Sequence, residues 1–261
     1  MQSVSLPAPL QHVLGTTDLT PITGLPFPIE STILFPVHKG TGKLIMSFTT
    51  RNNKKDDGTV EVKQEWALVG GKAESQLKGE QGWTDFSDKR FIKDGRQFTA
   101  EECAAFTFEN PRVCLGREAV EELTGQKGSL TPESKAQFSW VTDKIQKSPF
   151  WTCVKSSRDV VLDKEKDIKV KGYSTYTCLC KVEFSDEELN KLNNDIVAYE
   201  KREHRFFKPH SWSVKPVQVK DKPVTHLVVD IDGEGDVRNY NKNIMFKFYH
   251  DEISTLLSRK N

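Results

Sequence analysis

The stretch that decides the fold is ENPRVCLGREAVEELTG, residues 109–125. Asn110 is a favourable N-cap, and Pro111 suits the first helical position, where its missing N–H leaves no hydrogen bond unmade. Apart from Gly116, nothing after Pro111 disfavours a helix before Gly125, which can supply a left-handed turn at the C-terminal end. The stretch therefore predicts a helix that begins at Pro111 and ends just before Gly125.

This helix would carry three acidic side chains on one face. Glu118, Glu121 and Glu122 are spaced i, i+3, i+4, which places their Cβ atoms about 5–6 Å apart. No lysine lies between positions 119 and 126 to compensate the three charges, and Arg117 is the one nearby cation of the stretch. Either the face is a solvated acidic surface, or it holds a hard divalent cation such as Mg²⁺ or Mn²⁺, which prefers carboxylate oxygens. The spacing alone leaves both interpretations open.

The charged positions of the stretch closely resemble the Nudix box, the signature of the Nudix hydrolases. That signature contains Glu, seven residues, Arg-Glu, two residues and Glu-Glu. The chain matches these positions without a gap at Glu109, at Arg117-Glu118 and at Glu121-Glu122. The Glu-x-Pro start of the helix is also common in that family.

Two glycines of the signature are displaced in this chain. The first falls on Cys103, and the closing one falls on Thr124, with Gly125 one position late. Upstream, EWALVGGKAE at residues 65–74 is similar to the W-x-L-P-G-G-K-x-E segment that leads into a Nudix box. We therefore interpret residues 75–108 as an insertion between that segment and the box helix.

The resemblance implies the fold class and the division of the chain. We expect an α+β protein with a Nudix-like α/β/α sandwich, a mixed central sheet, and an insertion before the box helix. Residues 1–30 are expected to form an N-terminal arm, and residues 31–261 the Nudix-like hydrolase domain.

Local signals place the other elements. Prolines recur in the first thirty residues, so we predict an extended arm with short edge strands there. Two apolar runs predict a hairpin over residues 31–51, and alternation predicts a strand over residues 60–71. Further predicted elements are a hairpin over residues 82–99 with its turn at Asp94-Gly95, a short helix capped by Thr99 with Glu102, a helix capped by Thr131, a strand over 170–184, a helix capped by Ser185, a strand over 225–232 and a C-terminal helix over 243–260.

The resemblance also implies a metal site. Glu118 and Glu122 would be the principal ligands of Mg²⁺ or Mn²⁺, with Glu121 as a further ligand. The backbone carbonyl near Gly71 would complete the set.

Catalytic roles follow from the same resemblance. The implied assignments are Glu109, Arg117, Glu121 and Glu122. Arg117 would orient the acids through a salt bridge, and Glu109 would support the neighbouring loop or a metal-bound water. The general base would be a glutamate of the box or a downstream acid, for which Glu183 and Glu187 are candidates by position.

The implied activity is metal-dependent hydrolysis of a pyrophosphate linkage in a nucleoside diphosphate derivative. An N-terminal arm of strands is a feature of ADP-ribose and sugar-nucleotide hydrolases, so it favours substrates of that type and a homodimer.

Residues 200–222 are basic with interleaved aromatics, which gives an alternative, an mRNA-decapping or RNA-binding protein. We expect instead that this segment, with His204 and His210, is a solvated helix end and loop. A catalytically inactive binding or regulatory module is the other alternative.

Composition excludes some functional classes. The chain has 261 residues, 36% hydrophobic and 29% charged, with a net charge of +1. This composition predicts a globular protein and gives no global argument for binding nucleic acid or membranes. No apolar run approaches the roughly 18 residues of a membrane span.

The N-terminus does not resemble a secretory signal, and the five cysteines lack CxxC spacing. We therefore expect reduced structural thiols and a cytoplasmic location.

Overall fold

The structure is a computed structural model that describes most of the chain. The residues described are 5–54, 58–79, 81–85, 92–93, 95–126, 130–163, 168–199, 205–219, 222–233, 235–238 and 250–260. Within these residues the protein is mixed α+β, as the sequence predicts, and its larger sheet contains both antiparallel and parallel pairs. None of the helices described has the length and apolar character needed to span a membrane.

Seven helices lie in the described part of the chain. They are α1 (Ala8–Gly15), α2 (Ala100–Ala104), α3 (Pro111–Thr124), α4 (Pro132–Gln137), α5 (Ser139–Lys147), α6 (Asp186–Tyr199) and α7 (His250–Ser258). Three predicted caps are confirmed. Thr99 Oγ1 accepts the Glu102 N–H in a capping box, Thr131 Oγ1 accepts the Ser134 N–H, and Ser185 Oγ accepts the Glu188 N–H. Each cap satisfies a backbone donor that the first helical turn leaves without a partner.

Fifteen strands complete the elements described. They are β1 (Ile22–Thr23), β2 (Ile29–His38), β3 (Leu44–Lys54), β4 (Val60–Ala67), β5 (Gly70–Lys72), β6 (Glu74–Leu77), β7 (Thr84–Asp85), β8 (Ile92–Lys93), β9 (Arg96–Gln97), β10 (Phe106–Phe108), β11 (Trp151–Asp163), β12 (Ile168–Phe184), β13 (Phe206–Val219), β14 (Lys222–Asp230) and β15 (Asp236–Val237).

The chain divides into two compact units, and four elements continue from one unit into the other. Unit 1 comprises Met1–Ile33, Gly70–Glu118 and Asp143–Cys180. Unit 2 comprises Leu34–Val69, Ala119–Thr142 and Lys181–Asn261. The boundaries fall within β2, α3, α5 and β12, so these four elements contribute residues to both units.

Unit 1 contains a four-stranded sheet and two further ladders. The four strands pair antiparallel in the order β1, β10, β6, β7. β11 pairs antiparallel with β12, and β5 pairs with the first half of β2. Residues 75–108, interpreted as an insertion, contribute the β8–β9 hairpin and α2, as predicted, and also β7, β10 and most of β6.

Unit 2 is built on the second half of β2. This half pairs with β3 across the predicted hairpin, and β3 pairs with both β4 and β13. β13 then pairs antiparallel with β14, and β15 pairs parallel with β4. An aromatic cluster of Phe48, Trp66, Phe206 and His210 links β3, β4 and β13, with ring centroids 4.3–5.5 Å apart.

The prediction of an extended N-terminal arm is wrong for residues 8–15, which form α1. Pro7 is the N-cap of this helix and Pro9 lies in its first turn. Neither position needs a backbone N–H, so these prolines do not oppose the helix. Leu10, Val13 and Leu14 are buried and hold α1 within unit 1.

The prediction of a solvated helix end and loop near residues 200–222 is wrong for residues 206–219. They form β13, one of the longest strands described, while residues 200–204, 220 and 221 lie outside the described part. His210, expected at the surface, is 1% exposed, whereas His204 lies outside the described residues. The pairing of β13 with β3 and β14 decides this region, and no local signal reports such distant partners.

Three smaller predictions need correction. The helix capped by Thr131 is two helices, α4 and α5, which are separated at Phe138. The strand predicted to end at a glycine pair stops at Ala67, and Gly70 begins the separate strand β5. The β8–β9 turn includes Gly95 at φ +74°, but the upstream partner expected in that hairpin, β7, pairs with β6 instead.

All five cysteines are free thiols in this structure, and their reduced state in the cell stays a prediction. Four are buried and Cys153 is partly exposed. Burial raises the pKa of Cys103 to about 12, and burial also raises the pKa of Cys114 and Cys180. These thiols stay protonated and weakly nucleophilic at neutral pH.

We expect the Cys103→Ala variant to lose less unfolding free energy than the original chain as the pH rises above 9. The unfolded chain releases this proton near the ordinary thiol pKa of 9.0, whereas the folded chain retains it until about 12. Stability from the neutral thiol is therefore complete below pH 9 and is lost as pH rises towards 12. Between these limits the slope of unfolding free energy against pH should be shallower in the variant by about 1.4 kcal/mol per pH unit. Urea unfolding of both proteins from pH 8 to 11 measures this, and parallel slopes would contradict it.

Candidate functional site

Helix α3 begins at a cap that also holds the N-terminal segment. The Asn110 side chain accepts the Arg112 N–H through Oδ1 at 2.9 Å. Its Nδ2 group donates to the backbone carbonyls of Asp18 and Thr20, both at 2.9 Å. Asn110 is 1% exposed, so each of these bonds satisfies a group removed from water. The predicted N-cap is therefore confirmed, with an additional structural role.

The C-terminal end of α3 accounts for the position of Gly125, one residue later than the closing glycine of the Nudix signature. The helix continues through Thr124, whose hydroxyl donates to the Val120 carbonyl at 2.6 Å. Gly125 follows with φ +66°, the left-handed conformation that ends many helices. One additional helical residue thus moves the terminating glycine from position 124 to 125. Arg205 also donates to the backbone carbonyl of Glu122 in this last turn.

The structure brings together Glu109, Arg117 and Glu118, which we call the box triad. Arg117 donates to both oxygens of Glu109, through Nε at 3.1 Å and through Nη2 at 2.9 Å. Its Nη1 donates to Glu118 Oε1 at 2.8 Å. Exposed side-chain fractions are 9% for Glu109, 19% for Arg117 and 15% for Glu118. The triad is a largely buried charge network with a paired arginine at its centre, as the salt-bridge prediction requires.

The electrostatics of the triad keep Arg117 charged. Burial alone would lower the pKa of Arg117, but the hydrogen bonds and charge of Glu109 outweigh it, and the pKa is raised. The second effect wins because a two-bond pairing of guanidinium and carboxylate is strong when water is largely excluded. Arg117 therefore serves as a fixed cation between two carboxylates.

The triad is tied to the strands that precede it. Arg117 Nη2 also donates to the Lys72 carbonyl at 3.1 Å, and Glu109 Oε2 accepts the Glu74 N–H at 3.2 Å. These bonds hold the box helix against β5 and β6. Support of a neighbouring loop by Glu109 was predicted, and its contact with Glu74 agrees with that role.

Gly71 lies directly against Glu118. A Cβ built on Gly71 would stand 1.8 Å from Glu118 Oε2 and 2.1 Å from its Cδ atom. Only a residue without a side chain leaves space for the carboxylate in this position. At Gly70, a Cβ would stand 2.3 Å from the Thr32 carbonyl oxygen of the adjacent strand β2. Neighbouring atoms thus lie too close to both positions for a side chain. Gly71 lies beside Glu118, the first of the predicted metal ligands.

The other predicted acids are divided between the last turn of α3 and two further elements, β12 and α6. Glu121 and Glu122 follow on the next turn of α3, half-buried, and are counted with unit 2. Glu183 is in β12 and pairs with Lys181 at 2.9 Å, while Glu187 is exposed in the first turn of α6. Glu183 is thus engaged in a salt bridge.

The donor chemistry at α3 suits a hard divalent cation, since carboxylates and a backbone carbonyl are oxygen ligands. Glu118 is held in place by Arg117 and by the backbone of Gly71, which gives one ligand a defined position. Across the described ranges, no group of three or more His, Cys, Asp or Glu side chains is gathered around one point. The proposed ligands therefore fit such an ion by their donor chemistry, and Glu118 is the one whose position is defined by neighbouring groups.

One residue of this helix has a role that sequence reasoning missed. Arg112 is 2% exposed, and its guanidinium donates to four backbone carbonyls, those of Val13, Leu14, Gln146 and Ser148. The available signal was its position, since residue 112 shares a helical face with the apolar residues three and seven positions later. An arginine on an apolar face indicates a buried guanidinium with dedicated partners.

The basic segment considered as an alternative RNA-binding surface has lysines that are partly compensated. Lys208 lies 3.8 Å from the Asp232 carboxylate, and Lys215 lies 3.4 Å from that of Asp230. Both pairs are exposed, so they are weak, but they reduce the positive potential along β13.

Comparisons with models of known protein families, with curated proteins and with solved structures found no match to this chain.

Proposed function

We propose that this protein is a divalent-metal-dependent hydrolase that cleaves a pyrophosphate linkage in a nucleoside diphosphate derivative. The observation that carries the proposal is the box triad seated against Gly71. Arg117 is held by both oxygens of Glu109 and donates to Glu118, whose other oxygen lies beside Gly71. The resemblance to a Nudix box predicted that Arg117 and Glu118 would lie near Glu109, which precedes them by eight and nine positions. It also predicted that Gly71, far upstream, would lie near the same site.

Each residue of the proposed site has a task that its surroundings support. Arg117 holds the Glu118 carboxylate in one orientation, so that little ordering is needed when a ligand binds. Glu109 neutralises Arg117 and, through the Glu74 N–H, ties the helix to β6. Glu118 and Glu122 would hold Mg²⁺ or Mn²⁺, with Glu121 and the Gly71 carbonyl as further ligands. Such an ion supplies neutralisation of phosphate charge and a bound water of lowered pKa.

The general base is proposed to be a glutamate of the box. Glu183 is a weaker candidate because Lys181 pairs with it at 2.9 Å. Glu187 is exposed on α6, where nothing observed activates it. A box glutamate beside the bound water would accept its proton directly.

The preference for ADP-ribose or nucleotide sugars is the finer part of the proposal. It depended on an N-terminal arm of strands, and the segment instead forms α1 and the two-residue strand β1. Support for this preference is therefore reduced, and the substrate class is better proposed as nucleoside diphosphate derivatives in general. Capped RNA belongs in the same test because residues 200–222 carry several cations.

The test is a hydrolysis screen with Mg²⁺ or Mn²⁺ over ADP-ribose, nucleotide sugars, dinucleoside polyphosphates, nucleoside triphosphates, NADH, coenzyme A and capped RNA. For the best substrate, Glu118→Gln and Glu122→Gln should each lower kcat at least about 100-fold, since each removes a proposed ligand charge. Arg117→Met should lower it about 10-fold to 100-fold, as expected when the partner that orients a ligand is lost.

A matched control and a second measurement make this test decisive. Glu133→Gln makes the same chemical change on α4, where Glu133 is exposed, and should leave kcat unchanged. Mn²⁺ binding measured by electron paramagnetic resonance should weaken in Glu118→Gln and not in Glu133→Gln. Absence of turnover across the screen, or turnover indifferent to Glu118→Gln and Glu122→Gln, would reject the proposed hydrolase.

A further inference from the structure

Unit 2 contains a cavity of about 880 Å³ whose walls come from four separate elements. One wall is the tip of the β2–β3 hairpin, residues 38–43, and another is Lys181 and Glu183 of β12. Ser211 and Trp212 of β13 and the end of α7, residues 257–260, complete the walls. This volume lies within the range of about 300–1,000 Å³ typical of small-molecule sites, and it exceeds what a single ion requires.

The cavity is strongly cationic in a chain that is nearly neutral. Its lining includes five basic side chains, Lys39, Lys43, Lys181, Arg259 and Lys260, and one carboxylate, Glu183. The whole chain, by contrast, carries a net charge of +1. Such a concentration of one sign in a concave site attracts ligands of the opposite sign.

The single carboxylate of the lining is already paired. Lys181 is 2% exposed and contacts Glu183 at 2.9 Å. Among the residues that the structure describes, Lys39, Lys43 and Lys260 form no ion pair with a carboxylate. The positive potential of these lysines is therefore not cancelled within the cavity wall.

The main unfavourable feature for an anion, the end of α7, is partly neutralised. Carbonyl groups at a helix C-terminus carry partial negative charge and repel anions. Here Lys181 Nζ donates to the Arg259 backbone carbonyl just after the helix. This bond reduces the repulsion and fixes the end of the chain against β12.

The hairpin tip that carries two of the lysines is held by side-chain hydrogen bonds. The His38 ring bonds to Thr41 Oγ1 at 2.8 Å and to the Asp186 carboxylate at 2.9 Å. Trp212 Nε1 donates to the Gly42 carbonyl at 3.0 Å, which attaches the tip to β13. These bonds position the backbone that carries Lys39 and Lys43, so the ordering cost of binding falls mainly on the two exposed lysine side chains. The same bond fixes the indole ring of Trp212 in the wall.

We propose that this cavity binds a nucleoside di- or triphosphate, with the phosphates at Lys39 and Lys43 and the base near Trp212. Phosphate groups match the excess positive charge, and the aromatic ring in the wall provides an apolar surface for a base. The site does not depend on the proposed hydrolase, because none of its lining residues belongs to α3.

Calorimetric titration of the full chain in EDTA with ATP, tripolyphosphate and adenosine tests the proposal without any metal-dependent turnover. ATP should bind more tightly than tripolyphosphate, and adenosine should not bind measurably. Lys39→Gln/Lys43→Gln should weaken ATP binding at least about tenfold, which corresponds to the loss of about 1.4 kcal/mol. Trp212→Leu should weaken ATP binding and leave tripolyphosphate binding unchanged.

The matched control is Lys135→Gln/Lys215→Gln, which removes two lysine charges from exposed positions of the same unit outside the cavity. It should bind ATP within about twofold of the original chain. Absence of ATP binding, or an equal loss in both double variants, would overturn the proposed site. Equal effects of Trp212→Leu on ATP and on tripolyphosphate would overturn the placement of the base. Because Glu118→Gln removes a proposed metal ligand, titrating this variant tests the cavity independently of the proposed hydrolase activity.

Discussion

Replacing Arg112 with methionine is expected to lower the free energy of unfolding by about 3–5 kcal/mol. The Arg112 guanidinium donates to the carbonyls of Val13 at 3.1 Å and Leu14 at 2.9 Å, in the last turn of α1. It also donates to Gln146 at 2.6 Å and Ser148 at 2.9 Å, at the end of α5. One side chain thus caps the C-terminal ends of two helices, where carbonyls have no intrahelical partner.

The physical reason for the large effect is that these carbonyls stay buried after the substitution. Each buried polar group left without a hydrogen bond costs about 1–3 kcal/mol, and Arg112 serves four of them. Methionine keeps much of the apolar contact with Trp151, over whose ring the guanidinium lies at 5.1 Å, so the loss is mainly polar. Lysine should restore only part of the stability, since a single ammonium group cannot reproduce the planar fork of donors.

Urea unfolding measures the change, and limited proteolysis shows where it acts. Cleavage should appear first in the segment from residue 5 to 21, because α1 loses its anchor in the variant. Arg96→Met is the control, since Arg96 is half-exposed and pairs with Glu102 near the surface; its effect should be below about 1 kcal/mol. If the two variants were equally stable, the capping role of Arg112 would be wrong.

Gly70→Ala should mainly lower the stability of the protein, whereas Gly71→Ala should mainly lower its activity. A Cβ on Gly70 meets backbone atoms of β2, the Thr32 oxygen at 2.3 Å and the Ile33 Cα at 2.9 Å. Backbone atoms cannot turn away, so β5 must separate from β2, at a cost of about 1–3 kcal/mol or more. The three atoms nearest to a Cβ on Gly71 all belong to the end of the Glu118 side chain, which can rotate. Gly71→Ala should therefore fold with near-normal stability while displacing the carboxylate.

Two measurements separate the variants. Gly70→Ala should unfold at markedly lower urea, whereas Gly71→Ala should lose Mn²⁺ binding and about 10-fold to 100-fold in hydrolysis under the proposed function. Gly15→Ala is the control, because its added methyl meets nothing within 4 Å and should be neutral or slightly stabilising. Normal Mn²⁺ binding in Gly71→Ala would show that the position of Glu118 does not matter, and unchanged stability in Gly70→Ala would refute the steric argument.

Local signals in the sequence predicted much of the secondary structure. Thr99, Thr131 and Ser185 each cap the predicted helix, because a cap depends on residues only two or three positions away. The same holds for Asn110 and Gly125 at the two ends of α3. The α+β class followed from such elements, while the Nudix-like sandwich stays a prediction.

Features determined by distant partners were missed. β13 contains Pro209 and Pro216, which disfavour a strand locally, but its register against β3 and β14 tolerates both. α1 was missed because proline was weighed without regard to its position in the first turn. The same distinction between local and distant partners applies to the candidate site. The spacing of the charged residues predicted the Arg117 contacts, but the contacts of Arg112 were missed because its partners lie at least 34 residues away along the chain.

The division of the chain has a consequence for how the protein is made. Each unit combines three separated stretches, and unit 1 includes residues up to Cys180. Neither unit can complete its core until most of the chain has left the ribosome, because strands distant in sequence must meet first. We therefore expect folding to be largely post-translational, with the long β11–β12 ladder forming before unit 1 closes. For the same reason, no cut at a single peptide bond separates the residues of one unit from those of the other, because the stretches of the two units alternate along the chain.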